Sequence, residues 1–174
     1  MKPIRLPFRV SVTLSDQPTE IYPADFQKVR DRCMQVVYSA SAIEDVLTTI
    51  LEFGLFHGLP LGRRMLLRSV LLDSEWCSFS AKRRLLDVVR KDRSLVPDDW
   101  VALDQNLAKV MRSRNALAHG SISLANGEYS LSYFEGAPKA SVLDDDYWTD
   151  VETSFNGAFT GLLALQAQCI PAEA

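Results

Sequence analysis

The stretch VMRSRNALAHG, Val110 to Gly120, decides how the rest of the chain is read. Across and upstream of it, Trp100, Leu103, Leu107, Val110 and Leu117 recur at three- and four-residue steps, the period of a helix that buries one stripe. Arg114 falls on that same stripe. A guanidinium left unpaired in a buried line costs on the order of several kcal/mol, so it calls for a carboxylate, a watered cleft or an anionic ligand. His119 follows in the last turn, and Gly120 after it reads as a left-handed helix stop. Helical spacing puts Asn115 and His119 on one face and turns Arg114 about 140° away from the histidine. The arginine then reaches the histidine only through its own length, a distorted last turn, or a second copy of the chain.

Working back from this stretch, Pro97, Asp98 and Asp99 make a strong start for the motif helix. Before it, Ser80 is the expected N-cap of a helix over 81–91, with Leu85, Leu86, Val88 and Val89 inward and Lys82, Arg83 and Arg84 outward. A helix over 62–72 has Leu66, Leu67, Val70 and Leu71 as its apolar side. From Pro23, which suits a first helical position, helical spacing runs through Phe26, Val29, Cys33, Val36, Val37, Ala40, Ile43, Leu47, Ile50 and Leu51 to about Phe56. That is one long helix, or two if Ser39 to Ser41 kinks it. Glu44 and Asp45 lie on it as candidate carboxylate partners for Arg114, and His57, in the glycine-rich stop FGLFHGLP, suits a C-terminal cap.

Forward of Gly120 the period changes from helical to alternating. In SISLANGEYSLSY, Asn126-Gly127 is a two-residue hairpin turn that sets Leu124 opposite Tyr129 and Ile122 opposite Leu131. The alternating segment Phe8 to Leu14 is a short strand that is available as a third member, since a two-stranded ribbon alone is marginal. Asp144, Asp145 and Asp146 open a last helix with Trp148, Val151, Phe155, Ala158, Phe159, Leu162 and Cys169 inward, ended by Pro171. The sum is a mainly α chain of about five helices with a small hairpin or three-stranded sheet, read as one domain over 1–174: strand and turn over 1–20, helices over 23–119, hairpin over 120–134, closing helix over 144–170.

The chain is 47% apolar and 24% charged, ample for a core. Its N-terminus is broken by Arg5, Arg9 and two prolines and offers no apolar signal segment. Thr153 to Ala172 lacks charge, but its Asn156, Gln166, Gln168 and two glycines fit an amphipathic helix better than a membrane span. Cys33, Cys77 and Cys169 are odd in number and widely spaced, as free thiols of a reducing cytoplasm are. With His57 and His119 the only imidazoles, no metal or other cofactor is expected. The net charge of −3 hides an uneven distribution: residues 61 to 119 hold twelve Lys/Arg against seven Asp/Glu, and residues 120 to 174 hold one against eight. A basic middle can mark an anion-binding face. Lys109, Arg112, Arg83 and Arg84 are its candidate anion-binding side chains.

Arg114, Asn115 and His119, in RNALAH followed by Gly120, resemble the R-x4-6-H motif of the HEPN superfamily, in which a polar residue often follows the arginine. With its flanking helices the resemblance covers most of the chain from about Pro23. It implies a helical bundle, usually a homodimer, with the motifs of both subunits lining one cleft that in active branches cuts RNA without a metal, often in toxin–antitoxin or defence roles. Ser121 stands where one toxin-like branch carries a tyrosine. In such a site His119 would move the 2′-OH proton, imidazole being the side chain that ordinarily titrates near neutrality. Arg114 would hold the charge on phosphorus by bidentate contact with its oxygens, and Asn115 would fix the imidazole or a substrate hydroxyl. The residues alone leave two further readings open: a non-catalytic module for RNA, a nucleotide or a protein partner, and a purely structural dimerisation domain.

Overall fold

The computed structural model describes residues 25–170. The N-terminal strand expected over 8–14, the helix start at Pro23 and the stop at Pro171 lie outside the described residues. The described chain is mainly helical, with five α-helices and one small antiparallel sheet: α1 (Phe26–Leu55), α2 (Leu61–Leu67) continued by a π-helical turn (Arg68–Leu72), α3 (Phe79–Asp92), α4 (Trp100–His119), β1 (Ser121–Ala125), β2 (Glu128–Phe134), β3 (Pro138–Val142) and α5 (Asp145–Cys169). It clusters into two compact units. One takes residues 25–39 and Arg112–Glu152, the other Ala40–Met111 and residues 153–170.

The first unit holds the sheet, in the order β1-β2-β3. Asn126 and Gly127 both take positive φ, 54° and 82°, as a type I′ turn requires, and Leu124 faces Tyr129 and Ile122 faces Leu131 as the alternation predicts. The third strand is β3, which follows the hairpin directly in the chain. Pro138 is its first residue, opposite Phe134, a place on an edge strand where a missing N–H removes no ladder bond. Cys33 and Val36 of α1, Ala116 and Leu117 of α4, Ile122, Leu131, Leu143, and Trp148 and Val151 of α5 are buried here. Asp144 Oδ1 accepts from the Tyr147 N–H at 2.8 Å, so the acidic run caps α5 as its composition suggests. Gly120 does not take the positive φ of a left-handed stop. Its requirement is space: a Cβ would collide with the Ala116 carbonyl oxygen and lie 2.7 Å from Leu131 Cδ1 and 2.9 Å from the Ser132 oxygen.

The second unit packs the rest of α1, α4 and α5 with α2 and α3. α1 is a single α-helix from Phe26 to Leu55, continuous through Ser39 to Ser41. Ile43, Leu47, Ile50 and Leu51 of α1, Leu86 and Val89 of α3, Leu103, Leu107 and Val110 of α4, and Phe155, Ala158, Leu162 and Leu165 of α5 are its core. Glycines let these helices approach closely: a Cβ on Gly54 would strike Val89, and one on Gly157 would strike Asn106. Ser78, rather than Ser80, caps α3, its hydroxyl accepting from the Ala81 N–H. Val88 and Phe159, expected inward, are exposed, and Leu165 takes a core position on α5 that the pattern did not claim.

Two charged groups of this unit face in. Lys82, expected outward, is buried and donates to Glu44 Oε1 at 2.8 Å. Glu52 is buried too, and its two oxygens take Arg64 Nε at 3.4 Å and Arg68 Nη1 at 3.0 Å. α2 and its π-helical turn therefore turn Arg64 and Arg68 toward α1, while Arg63 is exposed. Leu66, Val70 and Leu71, expected inward, are exposed; of the whole segment from Leu61 to Leu72 only Leu72 is buried.

Candidate active site at the end of α4

α4 begins on a cap, Asp99 Oδ1 accepting from the Ala102 N–H at 2.9 Å, and stays α-helical to His119. The bond from Gly120 N–H to the Ala116 carbonyl, 2.7 Å, continues the same ladder past the histidine. The last turn is thus undistorted, and the angular offset of about 140° between Arg114 and His119 stands. Arg114 is half-buried rather than sunk in the core. Its Nη1 donates to Asn115 Oδ1 at 3.1 Å. Asn115 and His119 are exposed, one helical turn apart on a common face. By bonding the asparagine, the guanidinium is drawn round its helix toward the face that carries the imidazole. Side-chain length closes part of the gap that the backbone leaves open.

The charge that Arg114 carries is not sealed by the carboxylates considered for it. Glu44 is the partner of Lys82, and the hydrogen bond of Arg114 is the one to the neutral amide of Asn115. The His119 side chain makes no hydrogen bond or ion pair among the described residues. As the last residue of α4 it sits at the negative end of the helix dipole. A cation held by a neighbouring amide, and an exposed imidazole on the face of that amide, are a set that can hold a phosphate and shift a proton beside it.

The outlying basic residues divide. Arg112 is exposed in the same unit as the motif, and its charge helps Lys139, the stronger cause, to hold the Glu135 carboxyl below its usual range. Lys109 is half-buried and engaged within the protein. Arg83 and Arg84 belong to the second unit, where with Asp87, Trp100 and Asp104 they line an open cavity of about 260 Å³. Arg83 is tied to Asp104 at 3.2 Å, and Asp87 to Arg90 and Lys91 at 2.9 and 2.6 Å, which lowers the Asp87 pKa. Arg84 has no ion pair among the described residues. Arg90 lies over the Trp100 ring, 4.5 Å from its centroid, which leaves Trp100 half-buried rather than in the core.

Comparison with protein-family models, curated proteins and solved structures finds no match.

Among the described residues no three His, Cys, Asp or Glu side chains stand together as metal ligands do. The pairs at Glu44 and Glu52 were not anticipated from the sequence, although one signal pointed to them. Glu44, Thr48 and Glu52 recur at four-residue steps beside the apolar stripe of α1, a polar line that a fully solvated face would not need to keep in register. Thr48 is itself buried and returns its hydroxyl to the Glu44 carbonyl at 2.7 Å.

Proposed function

We propose that this chain is a HEPN-like, metal-independent endoribonuclease of a reducing cytoplasm, with toxin or defence roles as its setting and Arg114, Asn115 and His119 as its site. The observation that carries the reading is the Arg114–Asn115 hydrogen bond, which turns the guanidinium toward the face holding the exposed His119. In this chemistry the 2′-oxygen of one nucleotide attacks the adjacent phosphorus and the 5′-oxygen of the next departs. His119 takes the 2′-OH proton, Arg114 neutralises the phosphorane oxygens, and the leaving oxygen is protonated by solvent or by the imidazole of a second copy. The products are a 2′,3′-cyclic phosphate and a free 5′-hydroxyl. A two-fold dimer that shares one cleft would supply that second imidazole.

The test is incubation of the purified chain with labelled single-stranded RNA in excess EDTA. Cleavage with cyclic phosphate ends is expected, lowered about 10²- to 10⁴-fold by His119→Ala and comparably by Arg114→Ala. No cleavage over a range of RNAs, or cleavage that either variant keeps at full rate while folded, overturns the nuclease. The second reading, a non-catalytic module that binds RNA, a nucleotide or a protein partner, is favoured by the cavity that Trp100 lines together with Arg83 and Arg84. Binding without cleavage, weakened by Arg84→Ala and not by His119→Ala, would select it.

A further inference from the structure

Arg112 stands two helical turns before His119, about 10 Å along the axis of α4 and within about 20° of the same direction. Asn115 falls between them, about 60° to one side. All three are exposed, so the end of α4 turns one polar line outward. Arg112 makes no ion pair among the described residues. The β2–β3 hairpin stands beside this line. Gly120 sits against Leu131 and Ser132 of β2, and two residues further on Tyr133 and Phe134 pair with Lys139 and Pro138 of β3. Lys139 is exposed there, its Nζ held by Glu135 Oε2 at 2.7 Å across the turn. The charge of Arg112 is felt at both members of this pair: it adds to the Lys139 hydrogen bond that lowers the Glu135 pKa, and it works against the Glu135 hydrogen bond that raises that of Lys139.

We propose that Arg112, helped by Lys139, forms a second phosphate site that takes the RNA backbone about three nucleotides away from the phosphate at His119, so that the substrate is an extended single strand. The spacing fits: about 10 Å along α4 is close to three steps at roughly 3.4 Å per stacked nucleotide. The donors are free to act. Arg112 has a planar fork of N–H groups and no carboxylate to hold it, and Glu135 Oε2 occupies one of the three ammonium donors of Lys139, which leaves others for a phosphate oxygen. The charges also balance in favour of an anion, with two cations against the single carboxylate of Glu135. Because Arg112 and His119 lie in one line on one helix, they follow one backbone, as the cations of single-strand grooves do. The contacts are to phosphate and carry no base preference.

The place of the scissile phosphate rests on the nuclease reading, but binding at the second site can be measured without cleavage. The probe is a labelled 2′-O-methyl oligouridylate of about twelve nucleotides, which has no 2′-OH nucleophile, followed by fluorescence anisotropy over a range of salt concentrations. The full chain is expected to bind it at least about tenfold more tightly than a 2′-O-methyl dinucleotide. Arg112→Ala should weaken binding of the long probe about tenfold and lower the slope of log affinity against log salt by about 0.7, the loss of one phosphate contact on a single strand. Arg112→Lys should keep most of the affinity and the slope, which a merely structural role for the side chain would not predict. Lys139→Ala should weaken binding, and Glu135→Gln should tighten it by freeing the lysine. With unmodified RNA of the same length in EDTA, Arg112→Ala should act mainly on KM. Binding that depends on Arg112 without any cleavage of the unmodified strand would remove the nuclease and keep the second site. An Arg112→Ala chain with the parent's affinity and salt slope, or a parent that binds the two probe lengths equally well, overturns it.

Discussion

Asn115 is the side chain through which the candidate site is connected. It shares a face with His119 by helical repeat and holds Arg114 by its amide oxygen, so in the proposed reaction its part would be to position the guanidinium. Asn115→Ala removes the acceptor and should lower cleavage by about tenfold while leaving His119 able to move a proton. Asn115→Asp keeps an acceptor but adds a negative charge where a phosphate must approach, so it should cost more than the alanine, mostly in KM. Measuring kcat and KM for the two variants separates the effects; equal losses would show that Asn115 does not position Arg114. The helix that carries the three residues, and its end at His119, were legible in the sequence because a helix terminus is a local feature. The partner of Arg114 was not legible, since a one-dimensional stripe marks a guanidinium as costly without saying that a neighbour one residue away relieves it.

The element α2 shows where periodicity stops being informative. A helix of this length announces an apolar side, but which side faces in is settled by what waits on the neighbouring helix. Here that is Glu52, buried in α1 and separated from Arg64 and Arg68 by 12 and 16 positions of sequence. Glu52→Ala leaves Arg64 without its ion-pair partner and Arg68 with only Asp73 and Thr49, and since both arginines are only partly buried the expected loss is about 1–3 kcal/mol. Urea unfolding would read it, and hydrogen exchange should show the loss of protection concentrated in α2 and its π-helical turn. A variant as stable as the parent would mean that the arginines do not anchor the segment. In the sheet the position is reversed. The Asn126-Gly127 turn and the register of β1 on β2 followed from local sequence, whereas β3, short, led by proline and built of small residues, carried too weak a pattern to be read as a strand.

For the molecule as a whole, the helix count and the small sheet were legible because long amphipathic runs and a two-residue turn are determined within a few residues of chain. Buried charge was not, because Lys82 with Glu44 and Glu52 with its arginines join residues that only the fold brings together. Stability against pH carries a signature of another buried group. Burial pushes the Cys33 thiol up to about 11 from its ordinary 9.0. As the pH rises past 9, the unfolded chain loses this proton while the folded chain keeps it. The unfolded state then binds fewer protons, and stability falls until about pH 11, by about 2 kcal/mol for this one group. Cys33→Ala should flatten the fall between pH 9 and 11 in urea midpoints, leaving the contribution of Tyr147, which burial also raises. An unchanged slope would rule out Cys33 as its source.

α1, α4 and α5 each give one part of their length to one compact unit and the remainder to the other. Neither unit is therefore a contiguous piece of chain, and no single cut releases one intact. A truncation before α5 would strip Trp148 and Val151 from one unit and Phe155, Leu162 and Leu165 from the other in the same stroke. The gene has no internal boundary at which a working fragment could be excised, shuffled or fused, so insertions into this protein belong in its surface turns, and any attempt to isolate the motif on a minimal fragment has to carry all three long helices with it.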